Sequence, residues 1–386
     1  MKTSIASFYL LATCQLFCYA QKTEHVLTIE KIMQDPKWIG TSPGQFHWAE
    51  NSRKLYFNWN PEGEEKSSQY YITTKNKIPC KAALEEKKNL PSWYGSYNTK
   101  MTKKVYVKNG DIFLLDIPTG KIKQITNTVH SENSPTFNHK EDKILYLYDN
   151  NLFFWEISSG KIEQLTDFTQ GTKPTEKKPY SNDQGKWLYD DQLKLFEVLD
   201  KKKKNREREK EENKLYEPKR PKTIYTGKDR AGNMQLSPDE NYITYTIYHN
   251  LRDSKRTKVP NYVTESGYTE EISARPKVGT PYYLSTEMYV YSIPGDTVYQ
   301  ISIEDIPGIK DSADYYQDYP NKQGDEPKKR KVLFGPVVWS DDGKHVVLNI
   351  KSLDNKDRWI MSLDITNGQL KLLDRQRDEA WIGGPG

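Results

Sequence analysis

A composite unit recurs along the chain, and no other feature restricts its folding as strongly. The first half of the unit is an apolar or aromatic residue, a polar turn of about six residues, then a short strand. Trp48 to Leu55, Phe137 to Ile144, Tyr180 to Trp187, Leu236 to Ile243 and Trp339 to Val346 align without a gap, and a looser copy begins near Tyr97. The second half runs Asp116-Ile117-Pro118-Thr119-Gly120 into Lys121 to Thr126. It returns as Glu156 to Thr166 around Gly160, as Asp364 to Leu373 around Gly368, and in shifted form across Ile293-Pro294-Gly295-Asp296. Alternating residues on either side of a Gly-containing turn predict a β-hairpin with Gly at positive φ. Together the halves describe turn, strand, strand, hairpin and strand in about 40–45 residues, the size of a four-stranded propeller blade.

The expectation is therefore an all-β chain, a β-propeller of four-stranded blades with about six visible. Trp381 would open another, so the propeller would be incomplete at Gly386. Sandwich strands do not recur as a fixed composite unit, which argues against that alternative. Uneven spacing places a charged insertion near 201–222 and long inter-strand loops near 250–285 and 303–331. Composition agrees: only 35% of the residues are hydrophobic, yet 27 Tyr and 9 Trp favour pleated, half-buried surfaces over disorder.

Residues 1–20 read as a signal peptide, with Lys2 ahead of an apolar stretch and cleavage between Ala20 and Gln21. A lipoprotein signal ending at Cys14 fits less well, because Thr13 stands where a small residue is expected. The rest, 21–386, is the propeller region, destined for a periplasm or the cell exterior. No later window approaches the ~18 apolar residues of a spanning helix. Cleavage would remove Cys14 and Cys18, leaving Cys80 with no disulfide partner and no Cys-based metal site. The net charge of +5 is concentrated in 201–222, a mixed-sign run, and the remainder is close to neutral. A nucleic-acid partner is not expected, since such binders spread basic residues and aromatics over a folded face.

Gly40-Thr41-Ser42-Pro43-Gly44 fits the G-x-S-x-G nucleophile elbow. Chemistry rejects it: the residue after the nucleophile must donate its N–H to the oxyanion, and Pro43 has none. The six His are scattered, and His139 and His345 fall in the repeated turn, where a structural role is expected. Asp239, Asp341 and Asp342 share those turns and should bond to their own backbone. Glu270 and Glu271, near Tyr262, Tyr268 and Arg275, are candidates for a cationic ligand such as a peptide amine; an ordinary solvated loop is the alternative. No phosphate loop, dinucleotide fingerprint, metal set or other cofactor site is present, so no cofactor is expected.

Leu236 to Tyr245, Arg275 to Gly279 and Arg377 to Gly383 resemble the N-terminal propeller of dipeptidyl peptidase IV-like members of the prolyl oligopeptidase family of serine peptidases. The resemblance implies a propeller that admits and orients peptide, joined to a C-terminal α/β-hydrolase domain holding the catalytic Ser, Asp and His. That domain is absent from this chain, so this chain carries no catalytic residue and would not hydrolyse peptide alone. The resemblance also implies an acidic pair on a short helix just before the strand matching 236–245. Gly227 to Asn233 has no such pair, and Glu270-Glu271 follows the strand. A non-catalytic binding propeller of the TolB type is the alternative from another functional class.

Overall fold

The computed structural model describes residues 28–34, 40–175, 180–218, 220–249, 255–277, 286–312, 314, 318–319, 329–380 and 382. The signal segment, with Ala20 and Gln21, and Trp381 lie outside these residues. Two compact units divide the chain, Met1–Leu90 and Pro91–Gly386.

Among the described residues of the first unit a short helix, α1 (Ile29–Ile32), precedes one four-stranded antiparallel meander. This is blade 1: β1 (Gly44–Trp48), β2 (Lys54–Trp59), β3 (Ser68–Thr73) and β4 (Cys80–Lys81). Helix α2 (Leu84–Asn89) follows, and its Glu86 accepts hydrogen bonds from Tyr56 (2.6 Å) and Lys54 (2.5 Å) on β2.

The second unit contains four more such sheets. Blade 2 is β5 (Ser96–Tyr97), β6 (Lys103–Lys108), β7 (Asp111–Asp116) and β8 (Lys121–Gln124). Blade 3 is β9 (Asn133–Phe137), β10 (Lys143–Tyr148), β11 (Asn151–Glu156) and β12 (Ile162–Gln164). After a parallel pair, β13 (Asp167–Thr169) and β14 (Thr223–Tyr225), blade 4 is β15 (Arg230–Leu236), β16 (Tyr242–Tyr248), β19 (Thr286–Ser292) and β20 (Thr297–Gln300). A hairpin, β17 (Arg256–Asn261) and β18 (Glu270–Pro276), is inserted between its second and third strands. Blade 5 is β21 (Val332–Trp339), β22 (Val346–Ser352), β23 (Asp357–Asp364) and β24 (Gln369–Arg377). The fold is all-β with propeller-type blades, as the repeat predicts.

Both halves of the repeat have a physical cause. In the first, the residue four places after the opening aromatic or apolar residue adopts the left-handed conformation in every blade: Ser52, Met101, Glu141, Glu240 and Gly343. That conformation lets its N–H reach back to a carbonyl, as Glu141 does to Asn138 (3.1 Å) and Gly343 to Ser340 (2.8 Å). A side-chain oxygen at the start of the turn then caps the next strand. Asn138 accepts from Lys143 N (2.9 Å), Ser237 from Tyr242 N (2.9 Å) and Ser340 from His345 N (3.0 Å). Asp239 and Asp342 accept backbone N–H bonds within their own turns, as expected. In the second half, Gly120, Gly160 and Gly368 all take positive φ. The shifted copy gives that place to Asp296. The recurring Thr is also explained: Thr126 and Thr166 are buried and accept the N–H of Ile112 and of Leu152 on the neighbouring strand, both at 2.9 Å.

Blades of the second unit pack face to face in chain order. Val105, Ile112 and Leu114 of blade 2 meet Ile144, Tyr146 and Trp155 of blade 3. Leu145, Leu152 and Phe154 meet Ile243, Tyr245 and Tyr291 of blade 4. Met288 and Val290 meet Leu348, Ile350, Trp359 and Met361 of blade 5. Strict burial alternation along β22 and β23 produces that last face. Each fully buried aliphatic side chain contributes about 1.5–3 kcal/mol.

One expectation is corrected. The copy opening at Tyr180 does not begin a sixth blade: five four-stranded sheets form among the described residues, and this copy caps a helix. Asn182 accepts from Gly185 N (2.7 Å), starting α3 (Asp183–Leu195), with α4 (Glu197–Tyr216) following directly. After Trp187 the chain loses strand alternation, and Tyr189 and Leu193, four residues apart, are half-buried instead. The charged run is thus mostly helix, closed at its root by the β13–β14 pair. Between β20 and β21, Ile306 and Ile309 at the beginning of the 303–331 stretch are buried in the core between blades 4 and 5.

Candidate functional site

The first strand of a blade is where regular pairing breaks. Gln45 in β1, Ser134 in β9 and Asn233 in β15 have φ near +50°, and the register with the second strand slips at each. All three stand at the same place, three residues before the residue that opens the turn. Blade 5 slips between Phe334 and Val337, around Gly335-Pro336. Such a bulge leaves a residue unpaired and re-aims its neighbours' side chains. Asn133, Ser134 and Thr136 on β9 and Asn233 on β15 are exposed as a result.

First strands of adjacent blades adjoin: Ser96 Oγ on β5 lies 3.3 Å from Thr136 Oγ1 on β9. Between β9 and β15 lies a cavity of about 250 Å³. Ser134, Thr136 and Gln235 supply hydroxyls and an amide, and Leu145, Leu147 and Met234 line its apolar part. His139 is the one ionisable residue among those lining it. Neutral donors and acceptors beside an apolar wall suit hydrogen bonding to an uncharged chain. They offer no charged acid–base pair for catalysis.

A second polar cluster stands at the end of blade 4 where the hairpin leaves it. His249 Nδ1 lies 2.9 Å from Asp229 Oδ2, and Nε2 lies 3.4 Å from Glu287 Oε1. Tyr289 donates to Glu287 at 2.7 Å; burial, reinforced by that carboxylate, pushes the Tyr289 hydroxyl well above its usual range. In the sequence His249 is isolated, because Asp229, just ahead of β15, and Glu287, on β19, approach it only after folding. Among the described residues no group of three or more His, Cys, Asp and Glu suits a metal ion.

Glu270 and Glu271 open β18 on the exposed hairpin, and Glu271 is paired with Lys258 on β17. Tyr262 and Tyr268 are exposed near its tip, and Arg275 accepts from Thr257 through its carbonyl (2.6 Å). The Gly40 to Gly44 segment leads into β1 and not into a helix, consistent with its rejection as a nucleophile elbow. Two acids also stand adjacent on α3, upstream of Gly227 to Asn233: Asp190 is exposed and Asp191 half-buried. The repeat hides this pair, because Tyr180 to Trp187 aligns with the blade turns; the four-residue spacing of Tyr189 and Leu193 is the signal for a helix.

Structurally the chain is similar to dipeptidyl peptidase 4 of Porphyromonas gingivalis, at 10% identity and a TM-score of 0.42, covering 91% of this chain and 42% of that one. It is similar as well to a putative dipeptidyl aminopeptidase IV from Bacteroides ovatus, at 11% identity and a TM-score of 0.38, covering 89% and 39%. TolB from Acinetobacter baumannii aligns at 9% identity and a TM-score of 0.31, covering 86% and 54%. The chain thus spans less than half the length of either peptidase. No curated protein matches it by sequence. The family model of the dipeptidyl peptidase IV N-terminal region matches residues 94–199. Across blades 2 and 3 and the first inserted helix, this chain is therefore similar to the N-terminal region of dipeptidyl peptidase IV.

Proposed function

We propose that the chain is the exported propeller region of a dipeptidyl peptidase IV-like serine peptidase, where it receives and orients peptide for a hydrolase domain elsewhere in the parent protein. The match over 94–199 carries this reading. Two features of the fold support it. The bulged first strands present hydroxyls and amides beside an apolar cavity, chemistry suited to an extended peptide backbone. Asp190 and Asp191 stand adjacent on α3, within the matched residues, and two neighbouring carboxylates suit a peptide amine. On this reading Asp190-Asp191 is the amine site, in preference to Glu270-Glu271, where Lys258 already neutralises one carboxylate.

The test is a fluorescence-anisotropy titration of the full chain with a decapeptide labelled at its C-terminus, with a free or an acetylated α-amine. Saturable binding is expected, about tenfold weaker after acetylation, a loss of roughly 1.4 kcal/mol. Asp190→Asn/Asp191→Asn should abolish the difference, and Glu270→Gln/Glu271→Gln should leave it. Binding indifferent to acetylation would favour a general binding propeller, and no saturable binding would overturn the proposal.

A further inference from the structure

Helix α4 sorts the mixed charges of the sequence onto two faces. At about 3.6 residues per turn, Lys202, Lys203, Arg206, Lys210 and Lys214 fall within roughly 120° of one another. No acid lies inside that arc, although Glu207 and Glu209 border it. The opposite face carries the ion pairs: Lys201 with Glu197 at 3.8 Å, Lys204 with Asp200 at 2.7 Å and Arg208 with Glu212 at 3.6 Å. Among the described residues no salt bridge involves a member of the basic stripe. Every residue from 201 to 216 is exposed, so no blade covers either face.

The stripe has an apolar end. Leu195, Phe196, Val198 and Leu199, at the junction of α3 and α4, are all exposed, and Leu199 lies on the stripe's own side of the helix. Lys202, Arg206, Lys210 and Lys214 repeat every fourth residue, about 6 Å apart along the axis. A row of cations ending in a cluster of bare aliphatic and aromatic side chains matches a surface that is anionic outside and apolar just beneath. Nucleic acid or an acidic protein would answer the charge but would give the apolar end no comparable burial.

We propose that this face of α4 docks on an anionic lipid surface, with the lysines and Arg206 over the headgroups and Phe196 and Leu199 entering the headgroup–acyl boundary. This does not depend on the peptidase reading. The basic stripe, Lys202 to Lys214, lies beyond Leu199, where the match to the dipeptidyl peptidase IV region ends.

Co-sedimentation of the full chain with phosphatidylcholine vesicles, with and without phosphatidylglycerol, tests it. Binding should require phosphatidylglycerol and weaken steeply with salt, as screening shortens the reach of the charges. Two variants lose the same charge from opposite faces: Lys203→Gln/Arg206→Gln/Lys210→Gln, and Lys201→Gln/Lys204→Gln/Arg208→Gln. The first should weaken binding at least tenfold and the second less than threefold, with circular dichroism confirming that both keep their helix. Phe196→Ser/Leu199→Ser should weaken vesicle binding while leaving retention on a heparin column unchanged. The proposal is overturned if the wild type stays in the supernatant, if the matched variants behave alike, or if the Phe196 and Leu199 change has no effect on vesicles.

Discussion

Glu141 and Glu240 occupy the left-handed position of their turns and also reach back to the preceding blade. Glu141 accepts from Asn98 Nδ2 (3.2 Å), and Glu240 accepts from Asn138 Nδ2 (2.9 Å) and from Lys143. In blade 5 the same position is Gly343, and a Cβ there would come within 2.8 Å of Pro238 Cβ in the turn of blade 4. One backbone position thus shapes the turn and joins neighbouring blades, by hydrogen bonds twice and by close packing once. Glu240→Ala should cost about 1–2 kcal/mol through its lost hydrogen bonds, read as a shift in urea midpoint. Gly343→Ala should cost about 1–3 kcal/mol, from left-handed strain together with the clash. Gly120→Ala, at similar φ but with open space around it, should cost less, and equal losses would refute the packing argument. Asp311 offers a pH test. Its 2.6 Å hydrogen bond from Arg375 holds its carboxyl below the usual range, with Arg377 and Arg330 adding to the effect. The sign follows from that depression. Its stabilisation is present above the unfolded Asp value of about 3.9 and is lost as pH falls through the lower folded value. Asp311→Asn should therefore narrow the difference in urea midpoint between pH 6 and pH 3.

At the scale of elements, blade 5 shows what holds a strand in place. Trp359 on β23 is fully buried and donates its indole N–H to Pro307 O (2.9 Å), securing the 303–312 segment against the sheet. Trp359→Ala should cost about 3–5 kcal/mol in chemical denaturation. Nearby Asp357 is wholly buried and accepts from Arg330, just ahead of β21, and from Arg375 and Arg377, both on β24. No sequence pattern announces that cluster. Element types were legible where short-range chemistry decides them: the left-handed turn position and the Gly-containing hairpins repeat in the sequence because the same backbone must be made each time. The Tyr180 copy shows the limit. Its polar residues serve equally as a blade turn or as a helix N-cap, and only the residues after Trp187 separate the two.

For the whole molecule, protection should follow burial. Hydrogen exchange should be slowest in β10, β11, β22 and β23 and fastest in α4, which buries no side chain. Uniform protection across blades and helix would contradict this arrangement. By itself the sequence determined the blade: the length of its unit, the place of its turns and the alternation that makes each sheet two-faced. These are short-range matters of backbone sterics and periodic burial, and they recur in the chain as they recur in space. Tertiary structure alone decided which groups meet. His249 lies between Asp229 and Glu287, Ser134 faces the cavity beside β15, and Asp357 gathers three arginines. Such groups are brought together by packing between distant segments, whose pairing leaves no periodic trace in the order of residues.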